Sequence, residues 1–557
     1  MNFLINILIF FWFTRTAKGV LFWIYLWQLK SYHIGRFLDH FKTHKGKKIL
    51  FNPLLLTKLL LCFLLFIDYY AALSILLIIY GLEFSFFIIG IIKKQVKKPV
   101  ATVKAIFLIG VVFLDVIGYF YFSYLYAKNS PWFIFAMLAY DICIPLIVSL
   151  IVLFFQPFFV MLRNNTLKKA KSKMAKCKNL TVIGITGSYG KTSTKEFLTT
   201  ILSSKFRVLK TPEHKNSEIG IAQTILSKDF DRVLNQETGA PFSEGARPNT
   251  KKDLSVPVFI VEMGAYNKGG IKLLCDIVKP TIGIVTGVNE QHLATFGSLE
   301  NLLSAEGGQE LANSLPKDGL IVLNGDNKYC LDLYKKTTLH NKKLYSVDKN
   351  VINSDIWTES IEVTKDSVSF IAMSRAKEMA HFTVSVLGKQ NVQNLLGAIL
   401  VARELKMSFE EIAKACNVIA PQQSGMTLKS GIHRINIIDS SYSSNPDGVV
   451  ADLDYLNIFK GKKVIVMPCL IELGDKSAEV HYQIGKKIAK VCDMAIITTK
   501  DQFENIKKGA IENGMSPNKV LLIDKLSDIV GHITTFCKEG DTVLLEGRVP
   551  NEVIKLL

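Results

Sequence analysis

Nine cysteines are scattered over 557 residues, with no Cys-x-x-Cys pair and no Cys/His cluster at metal-ligand spacing. That excludes a disulfide scaffold and a zinc site, and it reads as reduced thiols in a cytoplasmic setting. The N-terminus "MNFLINILIFFWFTRTAKGVLFWIYLW" lacks the order of a secretory signal, which needs a charged start, a short apolar core and a small-residue cleavage site. Acidic residues are in deficit, 48 Asp and Glu against 67 Lys and Arg, for a net charge of +19. A basic balance can signal nucleic acid. Here much of the excess lies in loops beside hydrophobic spans, as in "KTHKGKK" (42–48) and "KKQVKK" (93–98). That placement fits the cytoplasmic face of a membrane, and no nucleic-acid partner is expected.

Hydrophobic residues make up 49% of the chain, unevenly: residues 1–162 hold most of the long apolar runs. About five membrane segments are predicted. The first, near the N-terminus, is awkward because Arg15 and Lys18 fall inside it. Four clearer spans cover roughly 53–67, 71–92, 105–126 and 133–155, the first of them short. Residues 28–48, 93–104 and 163–178 are rich in Lys and Arg, while 68–70 have no cation and 127–132 have only Lys128. The positive-inside rule puts the three basic segments in the cytoplasm, and four spans are an even number. The remainder of the chain is therefore expected in the cytoplasm, tethered to the cytoplasmic membrane. Glu83, Asp115 and Asp141 fall within spans, where a carboxyl is either functional or hydrogen-bonded between helices.

After a basic linker, "LTVIGI" (180–185) is a buried-strand candidate. "ITGSYGKTS" (185–193) follows, and then "TSTKEFLTTILSS" with helical apolar spacing at Phe197, Leu198, Ile201 and Leu202. Strand, glycine-rich loop and helix is the context of a phosphate site. Gly187 and Gly190 let backbone N–H groups turn toward phosphate oxygens, with Ser188 and Ser193 in the same loop. Lys191 would neutralise β/γ-phosphate charge, and Thr192 would hold Mg²⁺ through its hydroxyl. The general phosphate-loop pattern wants glycine at position 185, where this chain has Ile185. Glu262 ends an apolar strand and is a candidate Mg²⁺ ligand. From about residue 429, "INII", "KVIVMP", "MAIITT", "KVLLI" and "TVLLEG" alternate with helical segments, which predicts a parallel doubly wound sheet.

"ITGSYGKTS" resembles the phosphate loop of the Mur ligases, the ATP-dependent ligases that build the peptidoglycan stem peptide. Further segments are similar in the family's order: "KNSEIGIAQTIL" (215–226), "VFIVEMGAYNKGGI" (258–271), "VTGVNEQHLATFGSLENL" (285–302), "IVLNGDN" (321–327) and "GKQNVQNLLGAILVA" (388–402). "HRINIIDSSYSSNPDG" (433–448) and "MPCLIELG" with His481 resemble the branch that adds D-alanyl-D-alanine. The likeness covers roughly residues 180–557. It implies catalytic roles for Lys191, Glu262 and His292, with His292 helping to hold a second Mg²⁺. It implies nucleotide contacts at Asn391, beside the adenine, and at Arg434 and Asp439, and tentative substrate contacts at Tyr442 and Asn445. "SSNPDG" is also a strong turn sequence in its own right. "EGRVP" (546–550) departs from the family's Lys-Gly-Ser-Arg element.

The expected architecture is multi-domain. A helical transmembrane bundle occupies 1–165 and a basic linker 166–179. An α/β P-loop ATPase domain follows at 180–428, then a Rossmann-like α/β domain at 429–557. The bundle stands where soluble Mur ligases carry a UDP-binding domain. The expected function is a membrane-anchored, Mg·ATP-dependent amide ligase working through an acyl phosphate, adding D-alanyl-D-alanine or a similar amine to a peptidoglycan precursor. The precursor would be UDP-linked or lipid-linked, the amine an amino acid or dipeptide, and other wall-synthesis enzymes are candidate partners. Alternatives are a poly-γ-glutamate-synthase-like polymer ligase and a non-catalytic assembly protein with a degenerate nucleotide site. Many Mur ligases carry a carbamylated lysine some fourteen residues after the metal-binding histidine. Here no lysine occurs between Lys279 and Lys317, and the count from His292 falls on Glu306 in "SAEGGQEL". Glu306 is therefore expected near the second metal, in a ligase that needs no carbamate.

Overall fold

The computed structural model describes residues 2–30, 32–41, 44–93, 95–128, 130–235, 257–441 and 444–556. Tyr442, and Lys42 and Lys94 of the basic segments, lie outside the described residues. The chain divides into two compact units, Met1–Asn164 and Asn165–Leu557.

The N-terminal helices are α1 (Asn2–Leu29), α2 (Ile34–His40), α3 (His44–Leu50), α4 (Pro53–Ile67), α5 (Tyr69–Ile92), α6 (Val103–Ala127) and α7 (Pro131–Met174). Five segments among the described residues are long and apolar enough to cross a membrane. The one expected to be short is part of a 22-residue apolar segment, Gly46–Ile67. Local sequence sets the helix starts. Asn52 caps α4 by accepting from the Leu54 N–H at 3.0 Å, with Pro53 in the first turn, where its missing N–H costs nothing. Asp68 caps α5 through the Ala71 N–H at 3.0 Å, and Thr102 caps α6 through the Ala105 N–H at 3.2 Å.

The awkward first segment is one unbroken 28-residue helix, because its arginine finds partners. Arg15 Nε lies 2.8 Å from Glu83 Oε1 on α5 and 3.7 Å from Asp141 Oδ1 on α7. Lys58 on α4 bridges the same two carboxylates, 2.8 Å from Glu83 Oε2 and 2.7 Å from Asp141 Oδ2. Tyr80 donates to Asp141 Oδ2 at 3.1 Å. Two cations and two anions from four helices thus cancel within an apolar bundle. Asp115 is held differently, accepting from the Tyr140 hydroxyl at 2.7 Å. All three intraspan carboxyls are therefore bonded between helices.

In the second unit a nine-stranded sheet contains β1 (Thr181–Thr186), β2 (Arg207–Lys210), β3 (Pro257–Glu262), β4 (Ile282–Val285), β5 (Leu320–Asn324), β6 (Lys342–Ser346), β7 (Ile356–Val363), β8 (Val368–Ser374) and β9 (Met379–Val384). Its order is β2-β3-β1-β4-β5-β6-β7-β8-β9, parallel through β7 and antiparallel from there. Ile183 and Ile185 of β1 pack on one face with Phe197 and Ile201 of α8 (Lys191–Ser203), while Val182 joins Phe259 and Leu274 on the other. Burial on both faces is why β1 reads as a continuous apolar run. The second sheet contains β10 (Thr427–Ser430), β11 (Asn436–Ser440), β12 (Lys463–Met467), β13 (Met494–Ile497), β14 (Val520–Leu522) and β15 (Thr542–Glu546), in the order β10-β11-β15-β12-β13-β14. All five strands expected from residue 429 onward are present and parallel, and β10 adds an antiparallel edge.

The bundle's ion cluster makes a stability prediction. Lys58→Met leaves two carboxylates facing one cation in a site where the Lys58 side chain is only 4% exposed. Loss of one partner of a buried ion pair costs about 3–5 kcal/mol. Thermal unfolding of the detergent-solubilised protein should show Lys58→Met strongly destabilised and Lys58→Met/Asp141→Leu largely restored. A double variant no better than the single one would contradict the pairing.

Candidate active site

Strand order assembles the site. β3, β1 and β4 are neighbours, so the chain segments leaving their C-terminal ends converge. From β1 comes the glycine-rich loop, from β3 the Glu262 side chain, and from β4 the segment running through Thr286 to His292. Gly190 opens α8 at φ 74°, and a Cβ there would lie 2.3 Å from Asn394 Oδ1. Both the backbone conformation and the close approach require glycine.

Two carboxylates organise the polar groups. Glu262 accepts from the Thr192 hydroxyl at 3.1 Å, Asn216 Nδ2 at 3.2 Å and Lys195 Nζ at 3.0 Å. Burial pushes its pKa up, but Lys195 and Lys191 more than offset that, and it lies below its ordinary value. Glu306, only 2% exposed, accepts from Ser188 Oγ at 2.9 Å and meets His292 Nδ1 at 3.0 Å, both through Oε2. Its Oε1 faces Lys191 Nζ at 3.9 Å and takes no hydrogen bond among the described residues. Burial raises this carboxyl too, yet Lys191, His292 and Ser188 bring it below its ordinary value. Both groups are anionic at neutral pH. Lys191 also donates to the Gly187 carbonyl. Gly308, at φ 84°, lets the turn after Glu306 press on β4: a Cβ there would lie 2.3 Å from Val285 Cγ2.

The remaining candidates divide. Ser193 donates to the Ser424 carbonyl at 3.3 Å. Asn391 is buried, donates to the Leu387 carbonyl at 2.7 Å and accepts from Asn394 at 3.3 Å, so one hydrogen bond separates it from the residue against Gly190. Asn445 caps the helix Pro446–Leu456 through the Gly448 N–H at 3.0 Å, as a turn residue would. It also accepts from Asn289 Nδ2 at 3.1 Å, and Asn289 reaches Asp447 at 2.9 Å. The segment before His292 thereby holds the second sheet's first helix. Asp439 is half-buried, bonded to Lys429 at 2.7 Å and to Ser441. Burial raises it, and those bonds bring it below its ordinary value. Arg434 is exposed and paired with Glu539 at 3.2 Å, with no bond to the loop among the described residues. His481 is fully buried, and its Nε2 accepts from the Leu470 N–H at 2.9 Å, a structural pin for "MPCLIELG". Lys195, Asn216, Asn289 and Asn394 were not expected. Only Lys195, one turn after Lys191 on the same helix face, carried a sequence signal.

The donors suit Mg²⁺. Among the described residues no three His, Cys, Asp or Glu side chains converge, so an ion here would meet one or two of them. Mg²⁺ is commonly held by one or two carboxylates, with phosphate and water completing its shell. Thr192 with Glu262, and His292 with Glu306, meet that description.

Residues 185–402 match the Mur ligase middle domain and residues 426–549 match the Mur ligase, glutamate ligase domain. The chain belongs to the Mur ligases. These are ATP-dependent amide-bond ligases. One Mur ligase relative, the UDP-N-acetylmuramoyl-tripeptide–D-alanyl-D-alanine ligase of Bacillus subtilis (strain 168), is 25% identical over 388 residues, covering 67% of this chain and 75% of the relative. The enzyme of the same name from Synechocystis is 28% identical over 308 residues, 55% of this chain and 59% of that one. Several such relatives are thus matched over less than two thirds of their length. The fold matches the MurF ligase from Thermotoga maritima in complex with ADP, with a TM-score of 0.56 and 23% identity, over 71% of this chain and 83% of that one.

One Mur ligase element departs in a testable way. Glu546, at the end of β15, is 1% exposed beside buried Asp452, which Gln390 and Ser440 hold. Burial and then the Asp452 charge push Glu546 well above its ordinary value. A raised carboxyl contributes stability that is full below the unfolded value and is lost as pH rises through the folded one. Glu546→Gln keeps the shape and removes that loss. Its Tm should fall less than wild type as pH rises above the ordinary carboxylate range and exceed it by about 2–5 °C at the alkaline end. Parallel pH profiles would contradict a raised Glu546.

Proposed function

We propose that this chain is a membrane-anchored, Mg·ATP-dependent ligase that activates a carboxyl group of a cell-wall peptide precursor and joins it to D-alanyl-D-alanine or a similar amine. The observation that carries this is the gathering of Lys191, Ser188 and His292 on Glu306, and of Thr192 and Lys195 on Glu262, at the ends of three adjacent strands. The relatives' names supply the substrate class. Five apolar segments and the distribution of basic loops support the membrane anchor, with the ligase unit in the cytoplasm.

In this reading the substrate carboxylate attacks the γ-phosphorus of ATP and ADP leaves. The amine then attacks the acyl carbon, phosphate departs, and the amine loses a proton. Phosphoryl transfer needs positioning and charge neutralisation more than covalent help from the protein. The loop N–H groups and Lys191 hold the β- and γ-phosphates, and Asn391 lies on the adenine side. Thr192 and Glu262 would hold one Mg²⁺, and His292 with Glu306 the other. Mg²⁺ supplies charge neutralisation and alignment at the phosphates. Glu306 fixes the His292 ring through Nδ1, the arrangement by which a carboxylate orients a metal-binding histidine, and keeps Oε1 free to face a cation. An anionic oxygen is thus present without lysine carbamylation.

Lys191→Ala should lower amine-dependent ADP release by at least about 100-fold while leaving the unfolding transition in place, and Lys191→Arg should rescue poorly because its planar fork differs from an ammonium. Near-wild-type release by the alanine variant would refute the site. Glu306→Gln should weaken activation by Mg²⁺ about 10–100-fold. Wild-type activity should be unchanged in bicarbonate-depleted buffer. Loss on CO₂ removal, rescued by bicarbonate, would show that a carbamate is needed after all.

A further inference from the structure

A cavity of about 660 Å³ opens within the N-terminal unit, in the size range of small-molecule sites. The ion cluster of Arg15, Lys58, Glu83 and Asp141, whose charges cancel, forms part of its lining. Lys18, Lys48 and Lys97 line it too, none of them in a salt bridge with a carboxylate among the described residues, so the lining carries three positive charges in excess. Lys48 lies in α3 and Lys97 in the segment after α5, so the structure gathers onto one cavity charges that the sequence places 49 residues apart. Asn52 and Gln95 add amides to the lining, and Phe22, Phe86 and Phe87 supply an apolar wall, with Lys18 Nζ 5.6 Å from the Phe87 ring centre. Lys58 lies about 8 Å along α4 from Pro53 at the usual helical rise, so the cavity reaches well below the basic loops.

The geometry points to a binding site for the phosphate end of a polyprenyl chain, with the three ammonium groups on the phosphate and the aromatic wall on the first apolar units. Three unpaired cations match a phosphate monoester or diphosphate better than the single negative charge of a bulk phosphodiester lipid. The site deepens the proposed function by giving a lipid-linked substrate or its carrier a place to dock, and it rests on that reading's membrane anchor.

The test is lipid retention by the full-length protein in detergent, read by native mass spectrometry. The probes are a long-chain polyprenyl phosphate, the matching polyprenol, phosphatidylglycerol and inorganic phosphate. The polyprenyl phosphate should be retained, with the polyprenol, phosphatidylglycerol and inorganic phosphate each at least tenfold weaker. Lys48→Gln/Lys97→Gln, checked for an unchanged unfolding transition, should weaken retention by at least about tenfold, since each cation near a membrane surface is worth about 1 kcal/mol. Lys93→Gln/Lys98→Gln, in the same loop but outside the cavity, should not. Equal retention of the polyprenol or of phosphatidylglycerol would overturn the assignment, as would an unaffected Lys48/Lys97 variant. Lys191→Ala should retain the lipid fully, so a failed ligase assay and a failed lipid site give different results.

Discussion

A buried carboxylate, Glu306, ties the catalytic unit together. Taking an ionised carboxyl out of water is costly unless charge and hydrogen bonds replace the lost hydration. Here Ser188 of the phosphate loop, His292 from beyond β4 and the Lys191 ammonium do so together. Each is anchored elsewhere: Lys191 at the start of α8, Ser188 to the Gly287 carbonyl at 2.7 Å, and His292 in a segment whose Asn289 grips Asn445 and Asp447. The carboxylate thus fixes the loop, the histidine and, one link away, the second sheet relative to one another. Glu262 does the same on the β3 side with Lys195 and Thr192.

The N-terminal unit solves the same problem with side chains from four helices. Arg15, Lys58, Glu83 and Asp141 make a neutral set inside an apolar bundle, one residue from each of four helices. Such a set fixes helix register, because displacement of any one helix leaves an unpaired charge in a poor dielectric.

What was legible in the sequence was what depends on local order. The loop after "LTVIGI", the five parallel strands from residue 436 onward and the long apolar segments each follow from period, composition and turn chemistry over a few residues. The Glu306 position came from counting along the chain, and its contact with His292 from the fold. What escaped was non-local. Lys58 inside an apolar run looks like a flaw until Asp141, 83 residues later, is beside it. Asn394 against Gly190 and Asn289 against Asn445 join segments that no periodicity connects. The antiparallel additions β8, β9 and β10 lie at or next to sheet edges, where alternation is weak evidence of pairing direction. Arg434, expected near the nucleotide, pairs with Glu539 on the exposed surface of its own domain.

The central question is whether the site gathered around Glu306 activates a carboxylate by phosphorylation. The most direct measurement uses a carboxyl substrate that supports amine-dependent ADP release, labelled with heavy oxygen in that carboxyl. One labelled oxygen should appear in the released phosphate for each amide formed. Phosphate that carries only unlabelled oxygen while amide accumulates would contradict activation by phosphorylation.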